Sequence, residues 1–156
     1  MNTNMLPTDA AAIVATIDPD ANAPGVYYSD FVDMGDWHAL LAEICVGTLG
    51  TNGTVDAALL QSTDSAGTSE KAITGKSITQ LTQAGSDADK QALINLRPEE
   101  LDVSGSFRWV RLRITTDETA SPSAAVNDFG ATLWGFWPRN GVASDQDLAS
   151  VDEIVA

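Results

Sequence analysis

The sequence has few side chains of the kinds that bind metals or act as nucleophiles, and its basic residues are scarce. Among 156 residues there is one cysteine, Cys45, and one histidine, His38. A single cysteine excludes an internal disulfide framework, and a single histidine excludes a histidine metal cluster within one chain. The first 70 residues contain no lysine or arginine. So little positive charge argues against nucleic acid or an anionic membrane surface as a partner, since both require a basic field.

Long hydrophobic runs are also missing. No window approaches the roughly 18 apolar residues that a membrane-spanning helix needs. Residues 1–24 contain no basic residue and no apolar core of the kind found in signal peptides. Together with the lone cysteine, these absences predict a protein that folds in a cytoplasm. The hydrophobic fraction of 44% is enough for one packed domain of this length.

Acidic residues are the main excess, with 22 acids against 8 bases and a formal net charge of −14. Residues 1–70 carry ten acids and no base, whereas residues 71–139 carry eight of each. Residues 140–156 carry four further acids and no base. All positive charge therefore lies in one stretch between two acidic ends. Such asymmetry is typical of a chain that meets another surface, including a second copy of itself.

Short apolar runs separated by Gly, Ser, Thr and Asn predict an all-β protein. We expect a single β-sandwich of jelly-roll type with about eight short strands. Residues 1–25 are expected to form a flexible N-terminal arm, in which Ala10–Ile17 could form a short helix. Residues 26–139 are expected to form the sandwich, and residues 140–156 an acidic C-terminal tail with a short helix near residues 147–154. The predicted strands are Val26–Val32, Trp37–Val46, Val55–Gln61, Ile73 and Ile78–Leu81 on either side of a turn at Gly75, Gln91–Leu96, Phe107–Thr116 and Ala131–Trp137, with a helical turn at Pro98–Leu101.

The strand predicted at residues 107–116 has the clearest alternation. Its core-facing residues are predicted to be Val110, Leu112 and Ile114, because successive side chains of a strand point to opposite faces. The opposite face then carries Trp109, Arg111 and Arg113. Together with Arg97 and Arg108, these arginines place half of the eight bases between residues 97 and 113. Because arginine pairs with carboxylates and stacks on aromatic rings, we predict a subunit or partner interface at Trp109, Arg111, Arg113 and Arg97.

The strand predicted at residues 131–137 is rich in aromatic residues. Trp134 and Phe136 should share one face, and Leu133 and Trp137 the other. Since both faces are apolar, we predict that one is covered by the core and the other by a partner. An alternative is that these aromatic residues and Trp109 form a platform for stacking sugars, which would make the protein a carbohydrate-binding module.

The remaining motifs do not assemble into a catalytic or metal site. His38 and Cys45 are an odd number of residues apart on one predicted strand and so face opposite ways, and Cys45 is expected to be a small core residue. The sequence Gly75-Lys-Ser77 lacks the first glycine of a phosphate-binding loop, because that position is Glu70. The aspartates of residues 30–36 do not match a calcium-binding loop, although a Ca²⁺ shared between strands or subunits stays open. We therefore expect no enzymatic activity, no cofactor and no intrachain metal site.

Several segments of strand and turn follow one another in a characteristic order along residues 25–139. They are Asp33–Leu41, Val46–Gly50, Thr54–Asp56, Gln61–Gly67, Gln91–Arg97, Glu100–Val103 and Phe107–Arg111. In this order they resemble a family of small structural proteins of tailed bacteriophages and prophages. Members of that family tend to be encoded near the major capsid protein.

The resemblance implies a β-sandwich virion protein that decorates or cements the head, without catalytic residues. The expected partners are the major capsid protein and further copies of the same chain, as a trimer on the capsid exterior after folding in the bacterial cytoplasm. A minor capsid, vertex, neck or tail protein on the same fold is the alternative. Members more often end their last strand near Gly-Asp-Pro-Arg-Tyr. This chain has Gly135-Phe-Trp-Pro-Arg139 there, which favours a more apolar contact.

Overall fold

Antiparallel β-strands make up most of the regular structure. A computed structural model describes residues 5–118 and 126–155. Its strands are β1 (Ala11–Asn22), β2 (Gly25–Tyr28), β3 (Val32–Asp33), β4 (Trp37–Val46), β5 (Gly53–Ser62), β6 (Lys71–Ser77), β7 (Leu81–Thr82), β8 (Gln91–Leu96), β9 (Trp109–Glu118) and β10 (Asn127–Pro138). The helical elements are a single α-helical turn, α1 (Pro7–Ala10), and the 3₁₀ turns Pro98–Glu100, Val103–Gly105 and Ala143–Gln146. None of the helices in the described ranges is long and apolar enough to cross a membrane.

The strands form two antiparallel sheets that pack face to face. Sheet A has the strand order β1-β10-β4-β8, and sheet B has the order β2-β9-β5-β6, with β3 paired to β9 and β7 paired to β5. The pairing is nested: β1 pairs with β10, β2 with β9, β4 with β8 and β5 with β6. Nested pairing of eight main strands in two sheets is the jelly-roll topology. The predicted jelly-roll β-sandwich is therefore confirmed.

The core lies between the sheets and is built from alternate residues of each strand. The predicted core side of β9 is confirmed, since these three residues are completely buried: Val110, Leu112 and Ile114. Sheet A faces them with buried residues of β4 and β10, among them Leu40, Ile44 and Leu133. Trp37, at the start of β4, is also buried, and its indole lies against the backbone of Gly135 in β10.

The prediction of an N-terminal arm over residues 1–25 is wrong for residues 11–22. These residues form β1, an outer strand of sheet A that pairs with β10 along its length. Its inward residues, Ala12, Ala15 and Ile17, are buried. Two register shifts interrupt the alternation, and two of the inward residues are small, so the segment lacks the usual pattern of a strand. The helix considered for Ala10–Ile17 is likewise wrong, because α1 ends at Ala10.

The first part of the predicted C-terminal tail, through Leu148, packs against the sandwich domain. Ala143, in the last 3₁₀ turn, is completely buried. The N–H of Ile13 in β1 donates to Asp147 Oδ1 at 2.7 Å, and the N–H of Leu148 donates to the Ile13 carbonyl at 2.9 Å. The helix expected near residues 147–154 is wrong, since residues 147–155 contain neither helix nor strand.

Two of the predicted strands are divided differently in the structure. The segment Val26–Val32 contains β2 and the start of β3, separated by residues 29–31. Gly75 does not form a turn between strands. It lies within β6 with a φ of +74°, close to where the register between β5 and β6 shifts. The glycine thus permits an irregularity inside the strand, because positive φ is costly for other residues.

Candidate interaction surfaces

Six of the seven predicted interface residues separate into two groups on opposite sides of the sandwich. Trp109, Arg111 and Arg113 belong to β9 in sheet B, whereas Trp134, Phe136 and Trp137 belong to β10 in sheet A. Because the sheets pack through their inner faces, their outer faces point in opposite directions. The two groups therefore form two separate surfaces. We call them the arginine face, defined by Tyr28, Phe31, Glu70, Arg111 and Arg113, and the aromatic face, defined by Ile13, Leu41, Leu93, Trp134, Phe136 and Trp137.

On the arginine face, Arg111 is held by groups of its own chain. Its guanidinium carbon lies 3.9 Å from the ring centre of Tyr28 and 4.6 Å from that of Phe31. Its Nη2 lies 2.6 Å from Glu70 Oε2, and the two side chains are 23% and 20% exposed. This contact is an ion pair without hydrogen-bond alignment, since Glu70 Oε2 and Arg111 Nε make no hydrogen bond within the described residues. Arg111 thus joins β9 to the segment after β2 and to the residue before β6.

Replacing Arg111 with alanine is expected to lower the free energy of unfolding by about 1–2 kcal/mol, because Glu70 would lose its partner in a half-buried site and two rings would lose their stacked cation. Thermal and urea unfolding would measure the change. Arg113→Ala is the matched control, with an expected change within about 0.5 kcal/mol. Equal losses from the two variants would contradict a structural role for Arg111.

Arg113 differs from Arg111 in having no ion pair or hydrogen bond with other described residues. It lines a depression of about 330 Å³ together with Asp56, Ser77 and Thr115. Its neighbour across the β2–β9 pair is Tyr28, whose side chain is exposed. The Arg113 guanidinium, beside an exposed tyrosine, is therefore able to donate hydrogen bonds to a carboxylate of a partner.

The end of the arginine face near Trp109 carries a further ion pair. Arg108 donates to both carboxylate oxygens of Asp33, and its guanidinium lies 5.9 Å from the ring centre of Trp109. Partial burial acts to raise the pKa of the Asp33 carboxyl. The hydrogen bonds from Arg108 and from the Gly35 N–H outweigh burial and hold that pKa below its ordinary value. Asp33 therefore stays ionised, and Arg108 remains paired with it within the chain.

The aromatic face is an apolar row across neighbouring strands of sheet A. Trp134 and Phe136 project outward from β10 and are half-buried. The register places Ile13 of β1 on one side of Trp134 and Leu41 of β4 on the other. The Trp134 Nε1–H lies 3.4 Å from Glu43 Oε2, a long hydrogen bond. Polar groups thus border the row of apolar side chains at Glu43 and at Asn95, which pairs with Leu41.

Trp137 does not share a face with Leu133, so that part of the sequence prediction is wrong. Trp137 has a φ of +52°, which is rare for a bulky residue and breaks the alternation at the end of β10. Its ring turns to the outer side, 5.8 Å from the ring of Phe136, and its side chain is 58% exposed. These two rings line a groove of about 180 Å³ with Ala39 and Leu41.

Arg97 belongs to the aromatic side of the molecule rather than to the arginine face. It directly follows β8 and continues the outward alternation of Leu93 and Asn95. Arg97 Nε lies 3.4 Å from Glu99 Oε1, and both side chains are exposed. The predicted grouping of Arg97 with Arg111 and Arg113 therefore joins residues that the fold places on opposite sheets.

The prediction that Cys45 is a core residue is wrong. Cys45 is exposed on the outer face of sheet A, because its neighbours Ile44 and Val46 take the inward positions of β4. Partial burial, the charge of Glu43 and a contact of 3.9 Å from Sγ to Glu43 Oε1 all raise the pKa of the thiol. A raised pKa disfavours the reactive thiolate. Within the described residues, no group of three or more His, Cys, Asp or Glu side chains is placed to hold a metal ion.

Sequence patterns did not identify the residues that complete the two surfaces. Tyr28 lies in a predicted strand, so its outward position follows from period two, but Phe31 and Glu70 come from connecting segments without a periodic signal. Ile13 was not identified because β1 as a whole was not predicted. Trp109 and Trp137 lie on opposite faces, so they cannot both belong to one sugar-stacking platform.

No protein-family model and no curated protein matches this chain. Similar solved structures include infectious bursal disease virus strain Gx, with a TM-score of 0.45, 12% identity, and coverage of 85% of this chain and 33% of that one. The chain thus spans about a third of that viral chain. The empty capsid of Triatoma virus gives a TM-score of 0.43 and 11% identity, covering 86% of this chain and 94% of that one. The CBM22-2 xylan-binding domain of Paenibacillus barcinonensis Xyn10C gives 0.39 and 8%, covering 81% and 98%.

Proposed function

We propose that this protein is a non-enzymatic structural component of a virion that decorates the outside of a tailed-bacteriophage head. The observation that carries the proposal is the ordered resemblance of residues 25–139 to small structural proteins of such phages. Those segments build the sandwich itself: Asp33–Leu41 contains the last residue of β3 and the first half of β4, and Gln91–Arg97 covers β8. Jelly rolls also occur in lectins and enzymes, so the fold is compatible with this role without defining it.

The proposed partners are assembled major capsid protein and further copies of the chain, with a trimer as the assembly. The arginine face is the proposed capsid contact, because the Arg113 guanidinium has no ion pair with residues 5–118 or 126–155 and the adjacent Tyr28 is exposed. The aromatic face is the proposed contact between subunits. Weak single contacts would suffice, since many symmetric copies on one particle add avidity. A net charge of −14 suits an exterior position, where the protein does not meet the packaged DNA.

The experiment is to incubate purified protein with undecorated heads and to count the bound copies by quantitative mass spectrometry and cryo-electron microscopy. We expect hundreds of copies in symmetric positions on the head surface. Five or six copies in one ring would instead favour the vertex, neck or tail alternative. Absence of bound copies on intact heads would overturn the proposal.

Attachment is expected to weaken as ionic strength rises, because a contact between Arg113 and capsid carboxylates is screened by salt. Arg113→Ala should weaken attachment about tenfold at low salt and flatten the salt dependence. Lys90→Ala is the matched control, since it removes the same charge from an exposed turn whose partner is Asp87 in the same chain. Loss of attachment in both variants would point to net charge alone and would contradict a specific role for Arg113.

A further inference from the structure

Two complementary features are exposed in the described part of the chain. One is the groove of the aromatic face, lined by Leu41, Phe136 and Trp137, of which Trp137 is 58% exposed. The other is the C-terminal segment, residues 149–155, which ends in Ile154 and Val155, 42% and 84% exposed. A contact between the two features would remove their exposed apolar side chains from water, and that burial is favourable.

The charges around these two features are also complementary. Arg139 follows Trp137 closely and makes no ion pair with the described residues. Arg97 lies at the end of β8 on the outer side of the same sheet. In the C-terminal segment, Asp152 and Glu153 are exposed and make no ion pair within the described part of the chain. The two acids that precede Ile154 and Val155 are thus complementary in charge to Arg139 and to Arg97, whose partner within the chain is the exposed Glu99.

We propose that the C-terminal segment of one subunit occupies the aromatic-face groove of another copy. The proposal rests on the homo-oligomer of the proposed function and specifies how its subunits are joined. Leu148 is fixed to Ile13 in β1, and the Val151 N–H donates to the Leu148 carbonyl at 2.9 Å, so the segment leaves its own domain after a turn that ends at Val151. The four residues 152–155 beyond this turn span about 13 Å when extended, which is enough to reach a subunit in direct contact. Both the groove and the segment expose apolar side chains in the described part of a single chain, and exchange between copies would bury both sets.

The segment lies on the face of sheet A rather than adding to its edge. Lys76 Nζ donates to the Asn95 carbonyl at 2.7 Å, which covers the β8 edge near the end of the strand. A lysine at this position opposes the pairing of a further strand. The contact joins different surfaces of two copies, and it is heterologous when each copy gives its segment to one neighbour and receives that of another. A heterologous contact closes into a ring when the rotation between subunits permits, and the proposed trimer is such a ring.

The test compares the oligomeric state of the full chain with that of a chain lacking residues 149–156, by sedimentation equilibrium over a range of concentrations. We expect an oligomer for the full chain and a monomer for the shortened chain. The melting temperature of the monomeric fold should persist, since Ala143, Asp147 and Leu148 are retained. Trp137→Ala in the full chain should also shift the equilibrium towards monomer, whereas Trp109→Ala, an aromatic change on the opposite face, should not. An oligomer that survives the deletion would overturn the proposal.

A synthetic peptide of residues 148–156 provides the second measurement. Its addition to the shortened chain is expected to change tryptophan fluorescence, because Trp137 becomes covered, while a peptide with Ile154 and Val155 replaced by serine should have no effect. Binding of the peptide combined with a full chain that is monomeric at every concentration would mean that the segment folds back onto its own groove, which overturns exchange between copies. Failure of both measurements with attachment to heads retained would reject segment exchange but not the virion role.

Discussion

Trp37→Ala is expected to lower the free energy of unfolding by about 3–5 kcal/mol, the usual loss for a large aromatic residue removed from a core. Trp37 is 3% exposed and begins β4. Its indole lies against Gly135 so closely that a Cβ at residue 135 would come within 2.4 Å of the ring. Both residues belong to hydrogen-bonded strands, so the backbone is not free to collapse into the space that the indole leaves. Urea unfolding followed by circular dichroism measures the loss.

Trp109→Ala serves as the control for this prediction. Trp109 is half-buried on the outer face of sheet B, so its removal leaves no closed cavity, and a loss of about 1 kcal/mol is expected. Similar losses for the two variants would contradict the different burial of the two indoles. Trp37 also lies beneath the end of β10 that carries Phe136 and Trp137. Its removal should therefore weaken self-association through the aromatic face as well as stability.

Asn127→Ala is expected to cost about 2–3 kcal/mol of unfolding free energy, although Asn127 is a polar residue. Its side chain is completely buried, accepts a hydrogen bond from the Gly50 N–H at 3.0 Å and donates to Thr116 Oγ1 at 2.6 Å. Thr116 in turn donates to the Thr54 carbonyl at 3.0 Å. Alanine would leave the partly buried Gly50 N–H without its acceptor and the buried Thr116 hydroxyl without its donor, although that hydroxyl keeps its bond to Thr54; a buried polar group that loses its partner costs about 1–3 kcal/mol.

The Asn127 network joins sheet A to sheet B, because Asn127 begins β10 while Thr54 and Thr116 lie in β5 and β9. Chemical denaturation of Asn127→Ala measures its contribution. The control is Asn140→Ala, an exposed asparagine, for which a change within about 0.5 kcal/mol is expected. A change equally small at Asn127 would show that water replaces the lost hydrogen bonds and that the network does not stabilise the fold.

Strands with strong local signals were predicted well from the sequence. The observed bounds of β4 and β8 agree with the predicted ones, and the alternation of β9 identified its buried residues. β1 was missed because Ala12 and Ala15 are weak hydrophobic markers and because its alternation slips twice. Trp137 was assigned to the wrong side because a positive φ leaves no mark in the hydrophobic pattern.

The sequence by itself determined the fold class, the side of β9 that is buried and the concentration of positive charge in one stretch. These properties follow from the identity and spacing of neighbouring residues. Only the tertiary structure decided that β9 and β10 lie in different sheets, which separates the arginine face from the aromatic face. It also decided that Arg111 pairs with Glu70 while Arg113 has no such partner among the residues that the structure describes. Sheet membership and ion pairing depend on contacts between distant residues, and period-two alternation contains no information about which strand is the neighbour.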